Sequence, residues 1–114
     1  PDFEIYSGFD EFFVHNVMSG GAGCIGGLTN VCPELMADWV KAVNAKDWEE
    51  SAKIQRKVNK LMDMFEICAP FLTAVKRALL IQGVISNEYG SEPNVIANDA
   101  EDAKIREILE AIKD

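Results

Sequence analysis

The stretch Phe3-Glu-Ile-Tyr-Ser-Gly-Phe-Asp-Glu-Phe-Phe13, continued by Gly20-Gly-Ala-Gly-Cys-Ile-Gly-Gly-Leu-Thr-Asn30, decides the fold. Each segment holds a short apolar run that ends in glycine and polar residues, the pattern of a buried parallel strand. Residues 3–6 form the first predicted strand, stopped by Ser7-Gly8, and residues 22–28 form the second. A helix over 10–19 lies between them. Asp10 caps it, Phe12, Phe13, Val17 and Met18 make its buried side, and Gly20-Gly21 stops it. That spacing suits a βαβ unit. The second strand carries so few side chains that a ligand or a neighbour has to come close to its backbone. Two strands and one helix close no sheet, so the chain reads as part of a larger structure.

Everything after Asn30 has helical character. Pro33 suits the first turn of a helix over 33–45, with Leu35, Met36, Trp39, Val40 and Val43 as its apolar stripe. A turn at 44–46 precedes a long helix that starts at Asp47, where Glu50 completes a capping box. Ile54, Val58, Leu61, Met62, Phe65 and Ile67 form its buried side, to about Cys68. Pro70 resets the chain, and a helix over 71–82 ends at Gly83. Residues 84–98, with Gly90 and Pro93, read as an irregular loop able to wrap over a surface. A last helix over 99–113 carries Ile105, Ile108, Leu109 and Ile112 on one side.

Composition narrows the function classes. A chain of 114 residues, 48% hydrophobic and 26% charged, suits a single packed domain and excludes a disordered one. Nineteen acidic against 11 basic residues give a net charge of −8, which argues against nucleic acid as the main partner. Cys24, Cys32 and Cys68 form no CxxC and have no companion histidine, so they read as reduced thiols of a cytoplasmic protein. No apolar run approaches the roughly 18 residues of a membrane span, and no basic segment leads into an apolar core as in a signal peptide. The chain opens at Pro1, directly before a strand, which reads as truncation or processing.

Few residues carry an obvious chemistry. Asp10-Glu11 is either a carboxylate pair lining a pocket at the C-terminal ends of parallel strands or a helix cap with an acidic first turn. Residues 20–27 match neither GxGxxG nor GxxxxGK[ST], so a glycine-lined strand beside a ligand or a tight neighbour is the better reading than a phosphate loop. His15 is the sole histidine and has no companion at ligand spacing, so no metal site is predicted. Trp39, Trp48, Met62, Met64 and Phe65 are core or subunit interface. A Schiff-base lysine needs an apolar setting. Lys76 alone has one, on a helix far from the strands in sequence, and no lysine is assigned that role.

Taken together and in order, Tyr6-Ser-Gly-Phe-Asp-Glu11, Gly20-Gly-Ala-Gly-Cys-Ile-Gly-Gly-Leu-Thr-Asn30 with Pro33, and the later Pro70, Lys76-Arg-Ala-Leu79 and Gly83 resemble the dihydrodipicolinate synthase/N-acetylneuraminate lyase family. The resemblance implies an α/β fold, the C-terminal fragment of a TIM (β/α)8 barrel: the last two strands with their helices, then a three-helix extension. By that comparison residues 1–45 are the terminal βαβα part of the barrel and 46–114 the helical extension. Family members are class I aldolases that bind pyruvate or another 2-oxo acid as a Schiff base on a lysine of the sixth strand, with a tyrosine partner on the fifth. Neither strand is in this stretch.

Carried over by position, Gly8, Asp10 and Glu11 match the lyase branch, where this segment contacts the hydroxylated tail of the substrate. The synthase branch more often has a second Asp at the position of Phe9 or Asp10, so the match leans toward a sugar-acid aldolase. Gly26 and Gly27 match the end of the eighth strand beside the pyruvate carboxylate; sialic-acid enzymes tend to have Ser where Gly27 stands, which points away from sialic acid itself. Glu92-Pro93 stands where many members have a basic residue before proline. The resemblance thus implies part of a pyruvate-dependent aldolase/lyase with no metal or organic cofactor. It would be cytoplasmic, a homo-oligomer free of nucleic acid and membrane, and inactive without its missing lysine. A non-catalytic helical assembly module is the alternative.

Overall fold

The computed structural model describes residues 2–91 and 95–113, so Glu92-Pro93 lies outside the described residues. The chain divides into two compact units, Pro1–Asn59 and Lys60–Asp114.

In the first unit β1 (Tyr6–Ser7) and β2 (Gly23–Cys24) pair in parallel, with Tyr6 opposite Gly23 and Ser7 opposite Cys24. A 3₁₀ turn, Asp10–Phe12, runs into α1 (Phe13–Met18) between them. Glycine ends α1 as expected. Gly20 stands at φ +93°, its N–H donates to the Val17 carbonyl, and the Gly21 N–H donates to that of Asn16 at 2.8 Å. From α1 the Asn16 amide donates to the carbonyls of Ile5 at 3.0 Å and Gly23 at 2.7 Å, tying the helix to both strands.

Three expectations are corrected in this unit. The strands are shorter than predicted and most of their apolar residues are not buried: Phe3 is 80% exposed, Ile5 60% and Ile25 75%. A parallel strand is buried by neighbours on both edges and both faces, and β1 has one ladder partner, β2, among the described residues. On the intervening helix Phe12 and Met18 are exposed. The 3₁₀ turn advances three residues per turn, which shifts the phase of the apolar side and leaves Phe13 as the buried ring, edge-on to Trp39 at 5.1 Å. The second strand stops at Cys24, and Leu28 instead opens a short helix, α2 (Leu28–Val31).

Pro33 begins α3 (Pro33–Asn44), which buries Met36, Trp39, Ala42 and Val43, whereas Val40 is exposed. The turn after it places Lys46 at φ +56°, with the Lys46 N–H donating to Val43 and the Asp47 N–H to Ala42. In α4 (Trp48–Met62) half of the predicted capping box forms. The Asp47 carboxylate accepts the Glu50 N–H at 3.0 Å, while the Glu50 carboxylate turns to Lys53. Ser51, Ile54 and Val58 are buried on α4, and Ser51 accepts the Trp39 indole N–H at 3.0 Å.

In the second unit the end of α4 tightens into a 3₁₀ turn, Asp63–Glu66. Leu61 and Met64, three apart, are fully buried there, and Met62, Phe65 and Ile67 are only half-buried, contrary to a continuous α-helical phase. Helix α5 (Leu72–Ile81) ends at Gly83, φ +74°, with the same closing pair of backbone bonds as α1. Helix α6 (Asp99–Ala111) buries Ile105, Ile108 and Leu109 and starts with a complete Asn98–Glu101 capping box. The described parts of the connection before α6 carry no helix or strand. They are gripped by Arg77 of α5, which donates twice to the Glu88 carboxylate (2.7 and 2.5 Å), to Asp102 at 2.8 Å and to the Ala97 carbonyl at 2.7 Å.

Candidate functional site

The two strands of the first unit run in the same direction, so the loops after Ser7 and Cys24 leave the sheet at one end. Those loops hold Gly8, Asp10, Glu11, Gly26 and Gly27. The backbone keeps pairing to the rim, where the Ile25 N–H donates to the Ser7 carbonyl at 2.9 Å.

Asp10 is wholly buried. It does not cap its own helix, since Phe9 takes that position without a side-chain bond. Instead its Oδ1 accepts the Leu28 N–H at 3.2 Å, so Asp10 caps α2 across the sheet end. The N-cap residue of α2, Gly27, has φ −70° and ψ −31° and no side chain to offer. Oδ2 of Asp10 is buried and unpartnered. Burial pushes the Asp10 carboxyl above its ordinary value, and the Leu28 N–H pulls the other way.

Gly26 lies beneath that carboxyl. A Cβ at position 26 would fall 2.0 Å from Asp10 Oδ1 and 2.4 Å from its Cγ. Glu11 is half-buried, with Oε2 shielded from water and unpartnered, and its carbonyl accepts the Gln55 amide at 3.0 Å. Gly8 is open: nothing lies within 4 Å of where its Cβ would be. Beside these residues the exposed rings of Phe9 and Phe12 meet edge-on at 6.0 Å, and Cys24 Sγ points to the Phe9 carbonyl at 3.8 Å. Burial raises the Cys24 thiol.

The structure therefore brings Asp10, Gly26, Gly27 and Leu28 into one cluster, with Glu11 adjoining and Gly8 apart on the open side. Among the described residues no group of three or more His, Cys, Asp or Glu could hold a metal ion. His15 is exposed on α1. Lys76, the lysine in the most apolar sequence setting, donates to the Tyr89 carbonyl at 3.3 Å within the second unit. Sequence reasoning missed Asn16 as the clamp on both strands and the reach of Asp10 to Leu28. Both act between residues 7 to 18 apart in different elements and leave no local signature.

Residues 1–112 match the Dihydrodipicolinate synthetase family. The chain belongs to that family. Among dihydrodipicolinate synthetase relatives, an uncharacterized DapA-like lyase of Thermococcus kodakarensis is 31% identical over 108 residues, covering 95% of this chain and 37% of that protein. The 4-hydroxy-tetrahydrodipicolinate synthase of Leuconostoc mesenteroides is 30% identical, with the same coverage. In structure, YagE of Escherichia coli K12, a prophage protein of the dihydrodipicolinic acid synthase family solved with pyruvate, superposes with a TM-score of 0.92 at 21% identity, over 99% of this chain and 38% of its own. Dihydrodipicolinate synthase of Thermotoga maritima gives 0.85 at 27% identity, over 97% and 37%. The chain thus spans a little over a third of the length of these relatives. Its fold is that of the C-terminal part of a (β/α)8 barrel with the helical extension. Among the described residues no helix is long and apolar enough to cross a membrane.

Proposed function

We propose that this chain is the C-terminal portion of a class I, pyruvate-dependent aldolase or lyase acting on a 2-oxo acid or sugar acid. The observation that carries this reading is the family match over residues 1–112, together with a parallel strand pair whose C-terminal ends gather Asp10, Glu11, Gly26 and Gly27. Parallel barrels place their chemistry at that end of the strands. In this reading the lysine amine that condenses with the 2-oxo group, expelling water to form the imine, belongs to the preceding part of the barrel. Gly8, Asp10, Glu11, Gly26 and Gly27 form the wall along the tail of the substrate. Residues 1–45 are the barrel portion and 46–114 the extension. The protein works in the cytoplasm as a homo-oligomer and needs neither metal nor organic cofactor.

Borohydride trapping with pyruvate, read by intact mass, tests this. The expected result is no adduct on this chain alone and a stoichiometric adduct on a lysine of the longer protein outside this stretch. A stoichiometric adduct on this chain, with Lys76 the first residue to map, overturns the assignment.

A second reading, a non-catalytic assembly module, is favoured by the exposed Phe3, Ile5, Phe9, Phe12 and Ile25 around the sheet. It predicts a stable oligomer of this chain and no adduct in any context. Both readings predict self-association, and a monomer in analytical ultracentrifugation counts against both.

A further inference from the structure

We infer that Asp10 and Gly26 are a fitted pair: the Asp10 carboxyl occupies the space that a side chain at 26 would need and, by accepting the Leu28 N–H, fixes the Gly26–Gly27 turn against the loop after β1. Asp10 is then the residue that positions this part of the wall. Three independent observations carry this. The carboxyl is wholly buried, so it is held by its own chain. The Cβ direction of Gly26 points into that carboxyl, at 2.0 Å from Oδ1, so glycine at 26 makes room for Asp10. The start of α2 has no side-chain cap of its own, because its N-cap is Gly27, and Asp10 supplies the missing acceptor.

This deepens the proposed function by separating the five wall residues into two kinds. Asp10 and Gly26 hold the turn, while Gly8, Glu11 and Gly27 remain partly open for contact. It rests on that reading only for calling the wall a substrate wall. The pairing itself is tested without activity, so the two fail separately.

The test uses this chain and five variants, followed by urea unfolding and by the Leu28 amide in ¹H–¹⁵N spectra. Gly26→Ala should lower the unfolding midpoint strongly in the native background and by less than half as much on Asp10→Ala. The Leu28 amide should lie downfield and move as the pH passes through the carboxylate range. Asp10→Ala should move it upfield and abolish the titration. Asp10→Asn, which keeps an acceptor oxygen, should restore the downfield position without the titration. Glu11 and Cys24 are the other titratable groups facing Asp10. Glu11→Gln should leave the Leu28 titration in place, and the Cys24 thiol titrates at far higher pH. Equal cost of Gly26→Ala in both backgrounds, or a Leu28 amide that still titrates in Asp10→Asn, overturns the pairing. The Asp10→Asn arm decides even where the alanine variants fail to fold.

Discussion

The indole N–H of Trp39 donates to the Ser51 hydroxyl at 3.0 Å, with the Trp39 side chain wholly buried and Ser51 4% exposed. The bond joins α3 to the first turns of α4 inside the core of the first unit. A buried donor that loses its acceptor costs about 1–3 kcal/mol. Ser51→Ala should therefore destabilise the chain by that amount, whereas Ser51→Thr keeps the hydroxyl and pays only for the extra methyl. Chemical denaturation read by tryptophan fluorescence checks both. An alanine variant as stable as the parent would show that the indole finds another acceptor.

The carboxyl of Asp10 makes the first unit sensitive to pH in an unusual direction. Burial raises it, so the folded chain holds its proton to higher pH than the unfolded chain does. The stability tied to this group is complete below the ordinary value of 3.8 and is lost as the pH rises through the folded value. Asp10→Asn removes the charge and keeps an acceptor for Leu28. At pH 7 it should melt higher than the parent, and the two melting curves should converge in acid. A lower melting temperature at pH 7 would mean that the ionised carboxylate is worth its burial.

Arg77 governs the second unit with the opposite sign. Its side chain is 14% exposed, and the guanidinium serves Glu88, Asp102 and the Ala97 carbonyl at once. The hydrogen bond from Arg77, reinforced by Arg106, holds the Asp102 carboxyl below its ordinary 3.8. That contribution is present above this value and lost as the pH falls through the folded one. Removing one partner of a buried charged pair costs about 3–5 kcal/mol, and the partial exposure here puts Arg77→Met near the lower end. Arg77→Lys should recover less than half, because a single ammonium cannot grip a carboxylate with two parallel N–H groups and still reach two other acceptors. Unfolding midpoints of the three proteins at pH 7 and pH 3 check this, and the differences should shrink in acid.

The Asn98 side chain accepts the Glu101 N–H at 3.0 Å, and the Glu101 carboxylate accepts the Asn98 N–H at 2.8 Å. Asn98→Ala should cost about 1 kcal/mol, seen as faster amide exchange in the first turn of α6 before any change in global melting. Uniform exchange along the helix would argue that α6 is held by packing alone.

Where the chain announces its structure in neighbouring residues, the sequence was readable. Gly20, Gly83 and Pro33 marked helix ends that the backbone respects, since each acts through its own φ. The stripe on α3 was read nearly whole because α-helical phase holds there. It failed at Phe12 and Met62, where 3₁₀ turns changed the angle per residue, and at β1, which has one ladder partner, β2, among the described residues. Asn98-Asp-Ala-Glu101 is a capping-box pattern that the sequence carries in plain view. The proposed wall residues rest on a resemblance, and their placement after the two strands, at one sheet end, follows from parallel pairing. The division of labour between Asp10 and Gly26 was not legible, because a missing Cβ records nothing about what fills its place.

The three free cysteines have a practical consequence for watching this molecule open. Cys32 lies buried in the first unit, where burial pushes its thiol to about 11; Cys68 lies buried in the second, and Cys24 is only half-covered. A disulfide reagent at neutral pH should consume Cys24 first and reach the other two only through opening of the unit that shelters each. The chain thus carries two natural clocks, one per unit. Comparing their rates in the native chain and in the Asp10 and Arg77 variants would time the breathing of each half without attaching a probe.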